Sequence, residues 1–254
     1  MKRHILYFAA ALIAASFSLT SCDKDKTPEG QVINNAVQDK DGNQYSAIKI
    51  GEHTWMTENL RSTKYADGTD IPMGTSPNGN TGYRYNPNGD EKNVKTHGYL
   101  YNWTAAMNGK GSSNTNPSHV QGVCPKGWHI PSKAEWEDLI NYIGRQSEFV
   151  CSVNEGDVFV AKAMASTEGW YPSTETCAPG NLPSTNNATG LNGTPAGAYT
   201  GSYSAFSIAA NMWSTTENGS ANAYVVTLNY MHPTCGVNSV DKGDAYSVRC
   251  VKDK

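Results

Sequence analysis

The chain reads as an α+β domain, and three observations carry that reading. One helix is marked at both ends. Pro131 stops what precedes it, Ser132 can cap, and Glu135 three residues later completes a capping box. Behind that cap, Trp136, Leu139, Ile140 and Ile143 recur at i, i+3, i+4 and i+7 as one apolar stripe, and Gly144 reads as the left-handed stop. Elsewhere, short runs alternate polar and apolar residues at the period of two that strands require. Between them lie long stretches dominated by Gly, Asn, Ser, Thr and Tyr, with 24 glycines and 14 tyrosines in all, which describes a loop-rich domain with an aromatic core.

From the N-terminus, Lys2 and Arg3 precede an apolar run, Ile5 to Leu19, that is short for a bilayer span. The run ends in Leu19-Thr20-Ser21-Cys22, so residues 1–21 read as a signal peptide. The ending is similar to a bacterial lipobox, which implies cleavage before Cys22 and acylation of its thiol and amino group. Several acyl chains anchor stably where one does not. The protein is therefore expected in the cell envelope, held to the outer membrane by its lipid anchor only, on the surface or in the periplasm. Residues 22–35 read as a flexible tether. Within it, Asp23-Lys24-Asp25-Lys26 resembles the charged tracts that direct some Bacteroidetes lipoproteins to the surface, and it reads equally as a solvated linker. A single domain is placed at residues 36–254.

Along that domain, Asp39 to Asn43 is a turn, and Tyr45–Ile50 and Trp55–Leu60 form a hairpin with Ile48 and Ile50 on one face. Residues 66–95 are an irregular excursion. Tyr99 to Met107 reads as a short helix through Leu100, Trp103 and Met107; Gly127 to Ile130 reads as extended. Asp157 to Ala165 is a weaker helix, and Ser166 to Ser207 is a long loop whose aromatic residues argue for order. Asn211–Ser214, Tyr224–Leu228 and Tyr246–Val251 read as closing strands, with Tyr224, Val226 and Leu228 on one face.

Charge and cysteines narrow the class. Removing residues 1–21 leaves 18 basic against 23 acidic residues, a net of −5, and no basic patch stands out, so no nucleic acid partner is expected. Beyond Cys22, five cysteines remain: Cys124, Cys151, Cys177, Cys235 and Cys250. Export permits disulfides, and an odd count leaves at least one thiol over; spacing alone does not choose the pairing.

Six linked motifs then carry a resemblance. They are Asp41 to Tyr45, Ile50 to Arg61, Gly98 to Trp103, Cys124 to Trp136, Met212 to Thr216 and Ser247 to Val251. In this order they resemble the Fibrobacter succinogenes major paralogous domain, over about residues 36 to 253. That family is similar to the C-type-lectin-like group, which includes the formylglycine-generating enzymes, and Pro131-Ser132 with Glu135-Trp136 looks like the first-helix signature of those enzymes. The resemblance implies a C-type-lectin-like fold: two main helices, a twisted antiparallel sheet whose terminal strands meet, and long loops that carry specificity. It also implies a Cys124–Cys250 disulfide. Thr194 to Tyr199 departs from the family's Leu-Pro-Ala-Gly-Tyr-Arg pattern, and Cys151, Cys177 and Cys235 look additional.

The chemistry follows from what the residues offer. Calcium lectin motifs are absent, and the EF-hand look of Asp39 to Asn43 lacks the remaining loop ligands, so no metal and no cofactor is expected. No HExxH, GxSxG or phosphate loop appears, and His129 between Trp128 and Ile130 reads as a hydrogen-bonded structural histidine; catalysis is not expected. Trp55, Trp103, Trp128, Trp136 and Trp213 read as core. The binding candidates are Trp170, Tyr171, Tyr199 and Tyr203 in the long loop, since such rings stack on sugar faces or anchor protein partners; the plainer reading of any one of them is a ring that pins the loop onto the sheet. The expected partner is a glycan or an envelope or host protein. The alternatives are a structural or adhesion subunit of a surface assembly and a formylglycine-enzyme-like redox catalyst.

Overall fold

The computed structural model describes residues 30–254. The stretch expected to be a signal peptide, Cys22 as its expected lipid acceptor and the charged tract at Asp23–Lys26 lie outside the described residues. Along the chain come β1 (Val32–Gln38), β2 (Gln44–Ile50), β3 (His53–Met56), β4 (Arg84–Tyr85), α1 (Val94–His97), β5 (Leu100–Asn102) and α2 (Trp103–Met107). After β6 (Trp128–His129), α3 (Lys133–Gly144) and α4 (Ala161–Met164) come β7 (Ala198–Tyr199), β8 (Tyr203–Ser204), β9 (Ala209–Asn218), β10 (Asn222–Asn229), β11 (His232–Asp241), β12 (Ala245–Ser247) and β13 (Val251–Lys252). The fold is mixed helix and sheet, mostly sheet.

Two sheets organise it. One has the order β1-β2-β3-β13-β6, and the other β11-β10-β9-β12-β5-β4 with the β7–β8 pair attached to β12. Pairing is antiparallel except between β12 and β9. The predicted hairpin is β2–β3, in register at Ala47 with Met56 and at Ile48 with Trp55. Its partner from the chain's end is β13, where Val251 sits opposite Trp55 and, on the other side, His129.

The hairpin buries both faces. Tyr45 and Ala47 face a core with Tyr101, Trp213 and Val225, while Ile48, Ile50 and Trp55 face a second core with Trp136, Leu139, Met212 and Leu228. Strand β10 divides the same way: Ala223 and Val225 join the first core, Val226 and Leu228 the second. The Trp55 and Trp136 rings lie 4.7 Å apart between hairpin and α3, both fully buried. A ring of that size removes about 200 Å² from water, a gross gain of about 5 kcal/mol at ~25 cal/mol per Å². All five core tryptophans named from the sequence are buried.

Helix α3 starts as the sequence predicts, with Ser132 and Glu135 forming a complete capping box. Its end differs. Gly144 is the last helical residue, and Arg145 is the cap at φ −93°, so no left-handed stop occurs there. The glycine instead clears Val158, whose Cγ1 would lie 3.1 Å from an added Cβ.

Other boundaries moved because pairing overrode local pattern. Residues 32–35, assigned to the tether, belong to β1, where Val32 and Ile33 pair with Ile48 and Ala47 of β2. Leu100–Asn102 is a strand between β4 and β12, not helix, and Asn102 caps the five-residue α2 by accepting from Ala105 N at 2.9 Å. The weaker helix shrinks to the four residues of α4. Among the described residues α3 is the one long helix, so the second main helix is not present as such. Strand β11 escaped prediction because Pro233 and Gly236 interrupt it; it sits at the sheet edge, where both are tolerated.

Candidate functional site

The long loop is built by side chains reaching backbone oxygens. The Trp170 indole is buried and donates to Ser166 O at 3.0 Å; Asn186 Nδ2 donates to Ser166 O and Pro179 O at 2.8 and 3.0 Å. Thr189 Oγ1 ties the loop to Ala163 O at 2.7 Å. A Cys151–Cys177 disulfide closes its start. These partners fix an irregular segment that has few ladder bonds of its own, as a buried backbone requires.

The four predicted binding residues divide into two pairs. Trp170 and Tyr199 are each only 7% exposed and act as pins. Tyr199 stacks on Tyr85 with centroids 4.4 Å apart and donates from its hydroxyl to Thr75 O at 3.0 Å. Tyr171 and Tyr203 stand out from the surface at 59% and 38% exposure. Tyr203 leans on Tyr199 at 4.9 Å, so it extends the Tyr85–Tyr199 stack outward. Tyr171 meets Tyr230 edge-on at 5.6 Å.

Beside the loop's pinned start lies a cleft of about 240 Å³ lined by Thr96, His97, Ser166–Gly169, Asn192 and Thr194. His97 ends α1, and Gly98 follows at φ +71°, where an added Cβ would stand 2.6 Å from Leu60 O. The His97 ring is buried, with Phe206 edge-on at 5.0 Å, and burial holds its pKa below the ordinary 6.5. Its Nδ1 is sealed from solvent without a hydrogen-bond partner among the described residues. Two larger hollows, of about 440 and 480 Å³, flank the β1–β2 turn.

Behind the cleft sits Arg249, fully buried. Its guanidinium donates to Asn59 Oδ1, Met56 O, Leu191 O and Asn192 O, all neutral acceptors. Burial lowers its pKa to about 10, so it stays charged at neutral pH. Asn59 Nδ2 in turn donates to His97 O, Thr194 Oγ1 and Ser247 Oγ at 3.0, 3.1 and 3.2 Å. One buried node thus holds three walls of the cleft. The sequence reading passed over both Arg249 and His97. The available signal was Arg249 itself, a lone cation between Val248 and Cys250 in a buried strand motif.

The remaining polar candidates are structural. His129 is buried, with Nε2 2.8 Å from Glu135 Oε1 and Nδ1 2.7 Å from Asp253 Oδ1. Asp39 accepts from Asp41 N, Asn43 N, Asn43 Nδ2 and the Tyr45 hydroxyl, and Asp41 accepts from Thr63 Oγ1 at 2.9 Å, so the Asp39 to Asn43 carboxylates knit a turn. Among the described residues no cluster of three or more His, Cys, Asp or Glu is placed to hold a metal, and no helix is long and apolar enough to cross a membrane. Cys124 pairs with Cys250, and Cys235 is the one free cysteine among the described residues.

Compared with known families, residues 48–252 match the model of the Fibrobacter succinogenes major domain. Neither a curated protein nor a solved structure matches the chain.

Proposed function

The chain belongs to the Fibrobacter succinogenes major domain family, and we propose that it is a non-catalytic lipoprotein of the cell envelope that binds a glycan through the loop Ser166–Ser207. In this reading the mixed helix and sheet architecture is a C-type-lectin-like scaffold, and Cys22 carries the lipid that holds the protein to the outer membrane.

One observation carries the reading. The loop is fixed from beneath by Trp170, Asn186, Thr189, Tyr199 and the Cys151–Cys177 bridge, while its Tyr171 and Tyr203 rings remain uncovered and its Ser166–Gly169 stretch lines a polar cleft. A rigid loop presenting flat rings and hydrogen-bonding groups binds with little ordering cost. The rings stack on sugar faces, and Ser, Thr and Asn side chains meet hydroxyls.

The test is binding of the purified protein to a broad glycan array, with calcium and again with chelator. Signal in both conditions, reduced by Tyr203→Ala or Tyr171→Ala, supports a calcium-independent lectin. Signal lost with chelator overturns the metal-free reading. No signal at all overturns glycan binding and turns the search to protein partners in the envelope.

A further inference from the structure

We propose that the cleft at His97 is a subsite for one neutral, hydroxyl-bearing ring, such as a single sugar residue, with the His97 imidazole donating from Nε2 and the Glu168 carboxylate accepting from ligand hydroxyls. The proposal rests on the loop-binding reading above and names where and what the loop binds.

The argument begins with an orphan. His97 is only 8% exposed, and its Nδ1 has neither solvent nor a partner among the described residues. Its Nε2 is not among the sealed atoms, and no protein group bonds it among the described residues, so Nε2 is the ring nitrogen left for the cleft that His97 lines. Burial favours the neutral imidazole, which carries one proton. Buried N–H groups without acceptors are rarer than under-used acceptors, which assigns the bare lone pair to Nδ1 and the proton to Nε2. The cleft therefore presents one donor with nothing to donate to.

The other walls decide the ligand's charge. Glu168 brings a carboxylate, which accepts and repels anions, so phosphate or a second carboxylate is disfavoured. A cationic amine would satisfy Glu168 but would face the Nε2–H donor and the Arg249 guanidinium, which bonds only neutral oxygens behind Asn192. A hydroxyl both accepts and donates, and adjacent hydroxyls satisfy His97 and Glu168 together. Thr96, Thr167, Asn192 and Thr194 extend the same neutral polar lining.

Size and rigidity agree with one ring. The volume of about 240 Å³ equals about eight waters at ~30 Å³ each. It falls below the roughly 300–1,000 Å³ of sites for larger ligands. The His97 backbone, Thr194 and the Asn192 backbone are each tied to the Asn59–Arg249 node, so the walls stand preformed.

The experiment uses the purified full chain and a panel of neutral methyl glycosides, with inorganic phosphate and acetate as charged controls. Imidazole ¹H–¹⁵N shifts of native His97 are followed during titration, and affinities are compared for His97→Phe, His97→Gln and Glu168→Gln. A glycoside that moves the His97 Nε2 signal, and loses roughly tenfold or more in affinity in His97→Phe with partial return in His97→Gln, supports the proposal. Movement with phosphate or acetate alone overturns the ligand class. Glycan binding on the array that survives His97→Phe without shifting His97 overturns the subsite and leaves the loop reading intact. Absence of any glycan binding overturns both.

Discussion

Arg249 and Asn59 form a buried clamp in which one amide oxygen answers one guanidinium: Nε and Nη2 of Arg249 donate to Asn59 Oδ1 at 3.2 and 2.7 Å. Among the described residues no carboxylate shares the arginine's hydrogen bonds, and the Asn59 amide nitrogen donates to His97, Thr194 and Ser247. The last strand region, the hairpin's exit and both sides of the cleft meet at this pair.

Asn59→Ala removes two bonds to a buried charge, each worth about 1.5–3 kcal/mol, and is expected to destabilise the fold by at least about 3 kcal/mol. Asn59→Asp restores an acceptor and a counter-charge but deletes the two N–H donors that serve His97, Thr194 and Ser247, so it should fall between wild type and Asn59→Ala. Urea unfolding of the three proteins checks the order; equal midpoints would show that the clamp contributes nothing.

The His129–Glu135 contact sets a pH optimum. Burial opposes charge on both groups, yet the hydrogen bond and opposite charge of the partner prevail, raising the His129 pKa above 6.5 and lowering that of Glu135 below 4.5, with Asp253 helping the histidine. A raised histidine contributes stability that is full below its unfolded value and lost as pH rises through the folded one. A lowered carboxylate contributes above its unfolded value and loses that as pH falls through the folded one. The pair should therefore stabilise most between about pH 4.5 and 6.5. Thermal melts across pH 3–9 should show that maximum in wild type and a flatter profile in His129→Asn.

The two disulfides should differ in worth. Cys124–Cys250 spans 126 residues and Cys151–Cys177 spans 26. Loop-closure entropy then gives about 5 and about 3.5 kcal/mol respectively. Denaturant unfolding of the paired Cys→Ser variants measures the difference, and a larger loss from the shorter loop would contradict the entropic account.

The aromatic residues of the long loop should separate by role. Trp170→Ala and Tyr199→Ala each empty a buried site and are expected to cost about 3–5 kcal/mol. Tyr171→Ala at 59% exposure should change stability by no more than about 0.5 kcal/mol. Melting temperatures measured before any binding assay keep loss of fold apart from loss of contact.

Cys235 offers a check on the redox alternative. The residue as a whole is half-buried, but desolvation at its sulfur pushes the thiol up to about 12, so little thiolate exists near neutral pH. Alkylation at pH 8 should be slow in the native protein and fast in denaturant. Fast native labelling would reopen a reactive-thiol role.

Elements whose causes are local or repeated are legible in the amino-acid pattern. The Ser132 and Glu135 box, the Trp136 to Ile143 stripe and the β2–β3 hairpin are each decided within about a dozen residues, and the structure holds them all. The family motifs extended this reach to Cys124–Cys250, a contact no local pattern specifies. Where distant segments meet is settled instead by contacts made in the folded chain. Leu100–Asn102 became a strand because β4 and β12 flank it, against its helical spacing. Trp170 and Tyr199 turned inward while Tyr171 and Tyr203 stayed out, a choice set by which backbone oxygens and rings lay beneath them. The cleft itself joins residues near positions 97, 168 and 193 through a node at 59 and 249. Hydrophobic period and capping act over one or two turns of chain, whereas a cleft arises from side chains that share no neighbourhood until the sheets have closed.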